Sequence, residues 1–372
     1  MIYEGPMNKK LLPFLVLVFM LLGLPILGAA LSGNPLSPYF EFPPHRVFVR
    51  PKPFSWWAFS AYALFAALCI LPFLVQGLRK PTVSPASPDH PGSFPWWGLL
   101  GGFMGVCAWV LAWTRFPWFQ SIQAHTFTPL WLAYILLANA FAFRRSGRCL
   151  MLDQPRRFLL LFPASAALWW FFEYLNRFVQ NWQYAGVELE PWEYFLYATL
   201  SFSTVLPAVM STRQWLLTFP RIQSNFSTFF PVRLPNPRIW GGVILCLSAA
   251  GLACLAIQPN HTYALVWVSP LLIVVSTQAL AREPSIFSPV ARGDWRGVLS
   301  CALAALMCGF FWEMWNYLSL ARWTYAVPFV QRFHVFEMPI LGYVGYLPFG
   351  VTCGAFSEMV LGKMKSAQAD FI

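Results

Sequence analysis

Polar residues are sparse along this chain, and their positions divide it into long apolar stretches. Ten stretches have the roughly 17–25 mostly apolar residues that cross a bilayer as a helix: 11–31, 54–78, 96–113, 126–143, 158–178, 194–212, 240–257, 263–280, 298–320 and 339–362. The first exceeds the roughly 7–15 apolar residues of a signal peptide, so it reads as an uncleaved anchor. Two intervals break the pattern. The run PTVSPASPDHPGSFP at 81–95 is a linker by its proline and serine content. Residues 213–238 are basic, aromatic and interrupted by prolines, which suits an interfacial connector.

The polar residues inside and beside the spans occur twice in similar order. The stretch FFWEMWNYLSLARWTY contains Glu313, Asn316, Trp323 and Tyr325, and Glu337 follows ahead of another apolar stretch. Earlier, FFEYLNRFVQNWQY contains Glu173, Asn176, Trp182 and Tyr184, and Glu193 follows. The Glu and Asn pairs share one offset, 313 − 173 = 140 and 316 − 176 = 140. His125-Thr126-Phe127 with Trp131 matches His261-Thr262-Tyr263 with Trp267, offset 261 − 125 = 136, and Trp97-Gly98 matches Trp240-Gly241. These matches predict an internal duplication. The expected fold is an all-α polytopic membrane protein of about ten helices. It comprises an N-terminal helix pair and linker (1–95), a first four-helix repeat (96–212), the connector (213–238) and a second four-helix repeat (239–372). With four spans each, the two repeats are parallel, as units related by an axis along the membrane normal are.

Composition agrees with a membrane setting. The chain of 372 residues is 58% hydrophobic and 10% charged, with mean hydropathy +0.55, against about a quarter charged in soluble proteins. Its 19 Trp and 36 Phe suit membrane interfaces and aromatic cavities. The net charge of +11 does not point to nucleic acid, because the basic residues form short clusters between spans. If the N-terminus is inside, Arg46, Arg50, Lys52, Arg115, Arg177, Arg322 and Arg332 are outside, and the remaining 18 of the 25 Lys and Arg are inside. Both termini are therefore expected in the cytoplasm, in a bacterial inner membrane. The 8 Cys lie mostly within spans without a C-x-x-C pair, so they form neither a disulfide framework nor a zinc site.

The duplicated polar residues are the candidate site. Glu173 and Glu313 stand about 15 residues into their spans, about 22 Å along a core of roughly 30 Å. A carboxyl at that depth normally faces protein or a wet cavity. Desolvation disfavours the charged form of a carboxyl, which leaves it able to donate a proton. The alternative is a structural carboxyl bonded to a neighbouring helix. Asn176 and Asn316, three residues on and on the same helix face, are expected to hold either protonation state of the acid. Glu193, Glu337, His125 and His261 are further acid–base candidates. Each His-Thr word also suits a span entrance at which the Thr caps the helix. Two His and two Glu suit Zn or Fe, but no H-x-x-x-H or E-x-x-H word is present, so no metal and no redox cofactor is assigned. Trp182, Tyr184, Trp323 and Tyr325 suit either an aromatic belt or a substrate surface that stabilises a cation.

The order of carboxylate, W-x-Y and a second carboxylate before an aromatic helix resembles the membrane-embedded carotenoid enzymes, namely the heterodimeric-type lycopene cyclases and the carotenoid hydratases. The resemblance covers about 169–206, centred on Pro191-Trp192-Glu193-Tyr194-Phe195, and extends to 310–347. The cyclases usually show Pro-x-Glu-Glu before Phe-Phe; here Tyr194 takes the place of the second acid. The segment FEMPILGYVGYLPFG also resembles uncharacterised bacterial multi-span proteins. The resemblance implies an enzyme that protonates an apolar isoprenoid or carotenoid-like lipid and cyclises or hydrates the resulting cation. The alternative is a non-catalytic membrane protein: a lipid or small-solute transporter, or a scaffold subunit with membrane-protein partners.

Overall fold

The computed structural model describes residues 8–81 and 93–362, with side chains from residue 15 onward. Most of the proposed linker (82–92), the side chains of Lys9 and Lys10, and Lys363 and Lys365 lie outside the described residues. In chain order the main helices are α1 (Asn8–Leu31), α2 (Trp56–Leu78), α3 (Trp96–Trp113), α4 (Phe127–Ser146), α5 (Pro155–Val179), α6 (Pro191–Phe202), α7 (Val205–Leu217), α8 (Pro237–Ile257), α9 (Leu265–Leu280), α10 (Arg296–Tyr317) and α11 (Tyr346–Leu361). Short strands are β1 (Trp182–Ala185), β2 (Arg322–Tyr325), β3 (His334–Val335) and β4 (Met338–Pro339).

Among the described residues, eight helical segments are long and apolar enough to cross a membrane: α2, α3, α4, α5, α8, α10, and the composite segments Pro191–Leu217 and Ile340–Leu361. Two shorter apolar helices, Leu15–Leu31 and Leu265–Leu280, accompany them. A chain built this way is a polytopic helical membrane protein, since a helix satisfies its own backbone polar groups where no water can.

Three boundaries differ from the sequence reading. Pro191–Leu217 is broken between α6 and α7. Pro207 has no N–H to return to the Ser203 carbonyl four residues back. Ser165 of α5 bridges the break, donating to the Phe202 carbonyl at 2.5 Å and accepting from Leu206 N–H at 2.9 Å. Second, α7 continues to Leu217, so the first residues of the expected connector are helical; no proline interrupts them until Pro220. Third, Glu337 does not open a helix. It sits in the turn of the β3–β4 hairpin, and a 3-10 turn (Ile340–Gly345) precedes α11.

The chain forms two compact units that interleave along the sequence. The first comprises Met1–Lys52, Phe172–Asn181 and Leu234–Ser285. In it α1 packs on α8, and α8 on α9. Phe172 stacks on Trp267 at 5.2 Å, and Tyr39 on Phe178 at 4.7 Å. Gln180 pins the segment after α1: its Oε1 accepts from Phe48 and Val49 N–H, and its Nε2 donates to the Arg46 carbonyl.

The second unit comprises Pro53–Phe171, Trp182–Arg233 and Ile286–Ile372. Here α3 packs on α4, α4 on α7, α7 on α10, and α10 on α11. Buried polar groups mark these seams. Tyr134 Oη lies 2.9 Å from Thr212 Oγ1, and Asn139 Nδ2 donates to Ser211 Oγ at 2.8 Å. Satisfied networks of this kind fix which helix faces meet.

Candidate functional site

Within the second unit, the end of α10 and the segment after it form one hydrogen-bonded cluster. Glu313 and Asn316 are buried, at 0% and 2% exposure. Glu313 Oε1 accepts from Tyr325 Oη and from Tyr346 Oη, each at 2.6 Å. Trp323 Nε1 donates to Tyr325 Oη at 2.7 Å. The result is a relay from indole N–H to phenol to carboxyl, whose members polarise one another. Glu313 Oε2 is buried without any hydrogen-bond partner. Burial pushes the Tyr325 phenol well above its ordinary range, so it remains a donor.

Local sequence explains the geometry. The antiparallel β1–β2 pairing sets Trp182 opposite Tyr325, Gln183 opposite Thr324 and Tyr184 opposite Trp323. Alternation along β2 puts Trp323 and Tyr325 on one face. Gln331 holds the exit from β2: its Nε2 donates to the Tyr325 carbonyl and its Oε1 accepts from Val327 N–H. On α10, Gly309 lies one turn before Glu313. A Cβ there would meet the Tyr346 ring at 2.4 Å, so the missing side chain is what lets Tyr346 cross the helix and reach Glu313. Trp312 continues the aromatic surroundings, 4.9 Å from Trp131 and 5.8 Å from Tyr346 between ring centroids.

Asn316 plays a different part from the one expected. Its Oδ1 accepts from Trp323 N–H and its Nδ2 donates to the Trp323 carbonyl, both at 2.8 Å. Both functions of the amide are used on the backbone, so Asn316 anchors β2 instead of holding the acid.

The other candidates are distributed around this cluster or away from it. Glu337 is half-buried in its hairpin turn. Trp182 is buried on β1, while Tyr184 is 41% exposed. Glu193 forms a capping box with Glu190 at the start of α6: it accepts from Glu190 N–H at 3.2 Å while Glu190 accepts from the Glu193 backbone. His125 ends a 3-10 turn and stacks on Tyr197 with ring centroids 3.8 Å apart. Burial, only partly opposed by the nearby Glu193 charge, holds His125 below its ordinary range. The Thr caps expected after the two His are not made. Thr126 makes no side-chain cap bond, and Thr262 Oγ1 instead donates back to the Cys254 and Gln258 carbonyls.

Three candidates belong to the first unit. Glu173 is buried on α5 at 4% exposure. Asn176 is also buried, and its Oδ1 accepts from Asn181 N–H at 2.8 Å. That bond to backbone just past the helix parallels the one from Trp323 to Asn316. His261 is exposed in the turn Pro259–Thr262. Among the described residues, no group of three or more His, Cys, Asp and Glu is placed to hold a metal ion.

Tyr346 and Gly309 complete the Glu313 cluster and were not among the sequence candidates. Neither has a counterpart in the repeated words, and a lone Tyr near the start of an apolar span reads as interface. No family model matches the chain, and no curated protein or solved structure does either.

Proposed function

We propose that this protein is an integral membrane enzyme acting on an apolar, isoprenoid-like lipid by carboxyl acid–base chemistry, with Glu313 as the acid. One observation carries the reading: Glu313 Oε1 receives two phenol hydrogen bonds while the equally buried Oε2 has no partner. A carboxyl that carries its proton on Oε2 accepts both phenols at its carbonyl oxygen and keeps a transferable proton pointed away from them. In the proposed step that proton adds to an alkene carbon, and the π pair becomes the new C–H bond. The adjacent cationic carbon is stabilised by aromatic faces such as Trp312 and Tyr346. Loss of a proton from the cation gives a rearranged or cyclised alkene, and attack by water gives an alcohol with release of a proton. Either course returns one proton, so no redox cofactor is needed. Glu337, Glu193 and His125 are the proposed bases, and Trp323, Tyr325, Trp182 and Tyr184 are proposed to line the substrate path. The resemblance to carotenoid enzymes supports the lipid class.

The proposed setting is the bacterial inner membrane, with ten spans, both termini cytoplasmic and two parallel four-helix repeats. Two internal parallels support the repeats. The W-x-Y words pair so that a local two-fold carries Trp182 onto Trp323 and Tyr184 onto Tyr325. Gly98 faces Ala140 at the α3–α4 crossing, and Gly241 faces Ala279 at the α8–α9 crossing. An experimental structure in which 96–212 and 240–362 do not superpose would remove the repeat. Glu173, Asn176 and His261 are proposed to play the parts of their repeat partners.

A second reading has its own observation. Glu313 ties α10 to β2 and to α11 through its two tyrosines, which is also what a structural lock in a transporter or scaffold subunit would do. Complementation of a deletion strain separates the two, with protein levels matched and total lipids profiled. On the enzymatic reading the deletion accumulates a precursor lipid and Glu313→Gln inserts normally but does not clear it. Full rescue by Glu313→Gln overturns acid catalysis and favours the lock.

A further inference from the structure

Three phenylalanines in the segment after β2 have left-handed backbone: Phe329 (φ 65°), Phe333 (φ 54°) and Phe336 (φ 57°). Glycine adopts such φ without steric cost, whereas a bulky side chain there is strained and stays only where its contacts hold it. Here the contacts are aromatic. Phe333 packs against Phe59 at 5.4 Å and Trp56 at 6.0 Å between ring centroids, at the start of α2. Phe336 packs against Phe310 at 5.6 Å and Tyr317 at 5.8 Å, both on α10. The backbone between them pairs only within the short hairpin, where Tyr343 Oη also donates to the Val335 carbonyl at 3.1 Å. Val330 and Met338 are buried, while Arg332, Phe333, His334 and Val335 between them are exposed. The stretch 331–337 is therefore a flap between two buried ends.

The flap lies on the side of α10 that carries Glu313. Phe310 and Tyr317 stand about 10.5 Å apart along the helix, and the Phe336 ring fills the interval between them. That interval holds Glu313, about 60° round the helix from Phe310 and about 40° from Tyr317. Phe310 is 44% exposed and Tyr317 42%, yet Glu313 between them is 0% exposed. The helix itself does not hide the acid. Its covers are the two tyrosines that hydrogen-bond it, Tyr325 and Tyr346, and the Phe336 ring that bridges the residues on either side. Phe310 lies within a spanning helix, so its exposed ring faces lipid. Phe336 thus stands between the acid and the bilayer.

We propose that the 331–337 flap is a gate, with Phe336 as its plug, through which an apolar lipid chain reaches Glu313 sideways from the bilayer. The gate rests on the acid reading for what happens to the chain there. Backbone strain opposes the closed position and aromatic packing favours it, which is the balance a two-position element needs. Phe310, Phe336 and Tyr317 give the way in an aromatic wall. Such a wall suits an isoprenoid chain and disfavours a hydrated solute, which would lose its water without gaining hydrogen bonds.

The test measures access to Glu313 in the full-length protein in lipid nanodiscs, with dicyclohexylcarbodiimide, an apolar reagent that adds to protonated carboxyls. Mass spectrometry locates the adduct, and Glu313→Gln confirms the position by losing it. The reaction is followed from about pH 8 to about pH 5, so that an acid ionised at neutral pH is also sampled. Phe336→Ala is expected to label about 10-fold faster than wild type, with no matching gain for a hydrophilic carbodiimide. Equal rates for wild type and Phe336→Ala overturn the gate, and an equal gain for the hydrophilic reagent overturns entry from the bilayer. If Phe336→Ala does not fold, Phe310→Ala removes the surface under the plug, leaves the flap intact and decides alone by the same comparison. Labelling that appears only toward the acid end, and is still faster in Phe336→Ala, counts against the acid reading and supports the gate. Labelling of both proteins at neutral pH and at one rate supports the acid and overturns the gate.

Discussion

Trp182 and Tyr325 face each other across the antiparallel β1–β2 ribbon, and Tyr184 faces Trp323 in the same register. The two W-x-Y words, which lie far apart in sequence, thus meet as neighbours. The ribbon presents Tyr325 to Glu313, and the Tyr325 phenol is both the donor to that carboxyl and the acceptor for Trp323.

Tyr325→Phe is expected to destabilise the fold more than Tyr346→Phe. The first change leaves the Trp323 indole N–H without its acceptor and removes one donor from Glu313; the second removes one donor only. Each buried hydrogen bond lost costs about 1–3 kcal/mol. Denaturant unfolding of the single and double variants in bicelles measures this. Equal or reversed costs would show that the relay does not hold β2 in place.

Gly309→Ala is expected to destabilise by about 1–3 kcal/mol through overpacking against Tyr346. All three nearest atoms to the added methyl belong to the Tyr346 ring. The penalty should therefore shrink in a Tyr346→Ala background, a coupling that a double-mutant cycle reads directly. An undiminished penalty would place the clash elsewhere.

His125 gives the protein a pH dependence on its acid side. Burial lowers its folded value, and Glu193 opposes this only in part. The unfolded chain therefore binds a proton more readily, and the stabilising contribution is complete above the ordinary value of 6.5 and declines as pH falls through the lowered one. The stability of wild type, relative to His125→Gln, should fall as pH drops below the ordinary histidine value of 6.5. Parallel profiles for the two proteins would dismiss the effect.

Topology is open to cysteine labelling in a variant freed of exposed thiols such as Cys69 and Cys246. A cysteine introduced at Glu188, in the segment between β1 and α6, should react with an impermeant reagent from the periplasmic side. Reaction from the cytoplasmic side alone would invert the proposed orientation.

The sequence by itself determined roughly where the apolar helices run, because a span is a local property of about 20 consecutive residues: each of the ten stretches overlaps apolar helix, and eight of them fall in segments long enough to cross a membrane. It also singled out Glu313, Asn316, Trp323 and Tyr325, since carboxyl, amide and aromatic residues stand out in an apolar background and recurred at nearly constant offset. What those residues touch was decided by tertiary structure. Asn316 is spent on the Trp323 backbone because the chain turns sharply after α10 and leaves those backbone groups in need of partners. Tyr346 joins Glu313 from 33 residues away through the space left at Gly309, a relation between two helices that no pattern within either one encodes. The break after Phe202 was likewise decided by tertiary structure: the apolar pattern reads 194–212 as one span, and only the packing of α5 supplies Ser165 to satisfy the interrupted backbone.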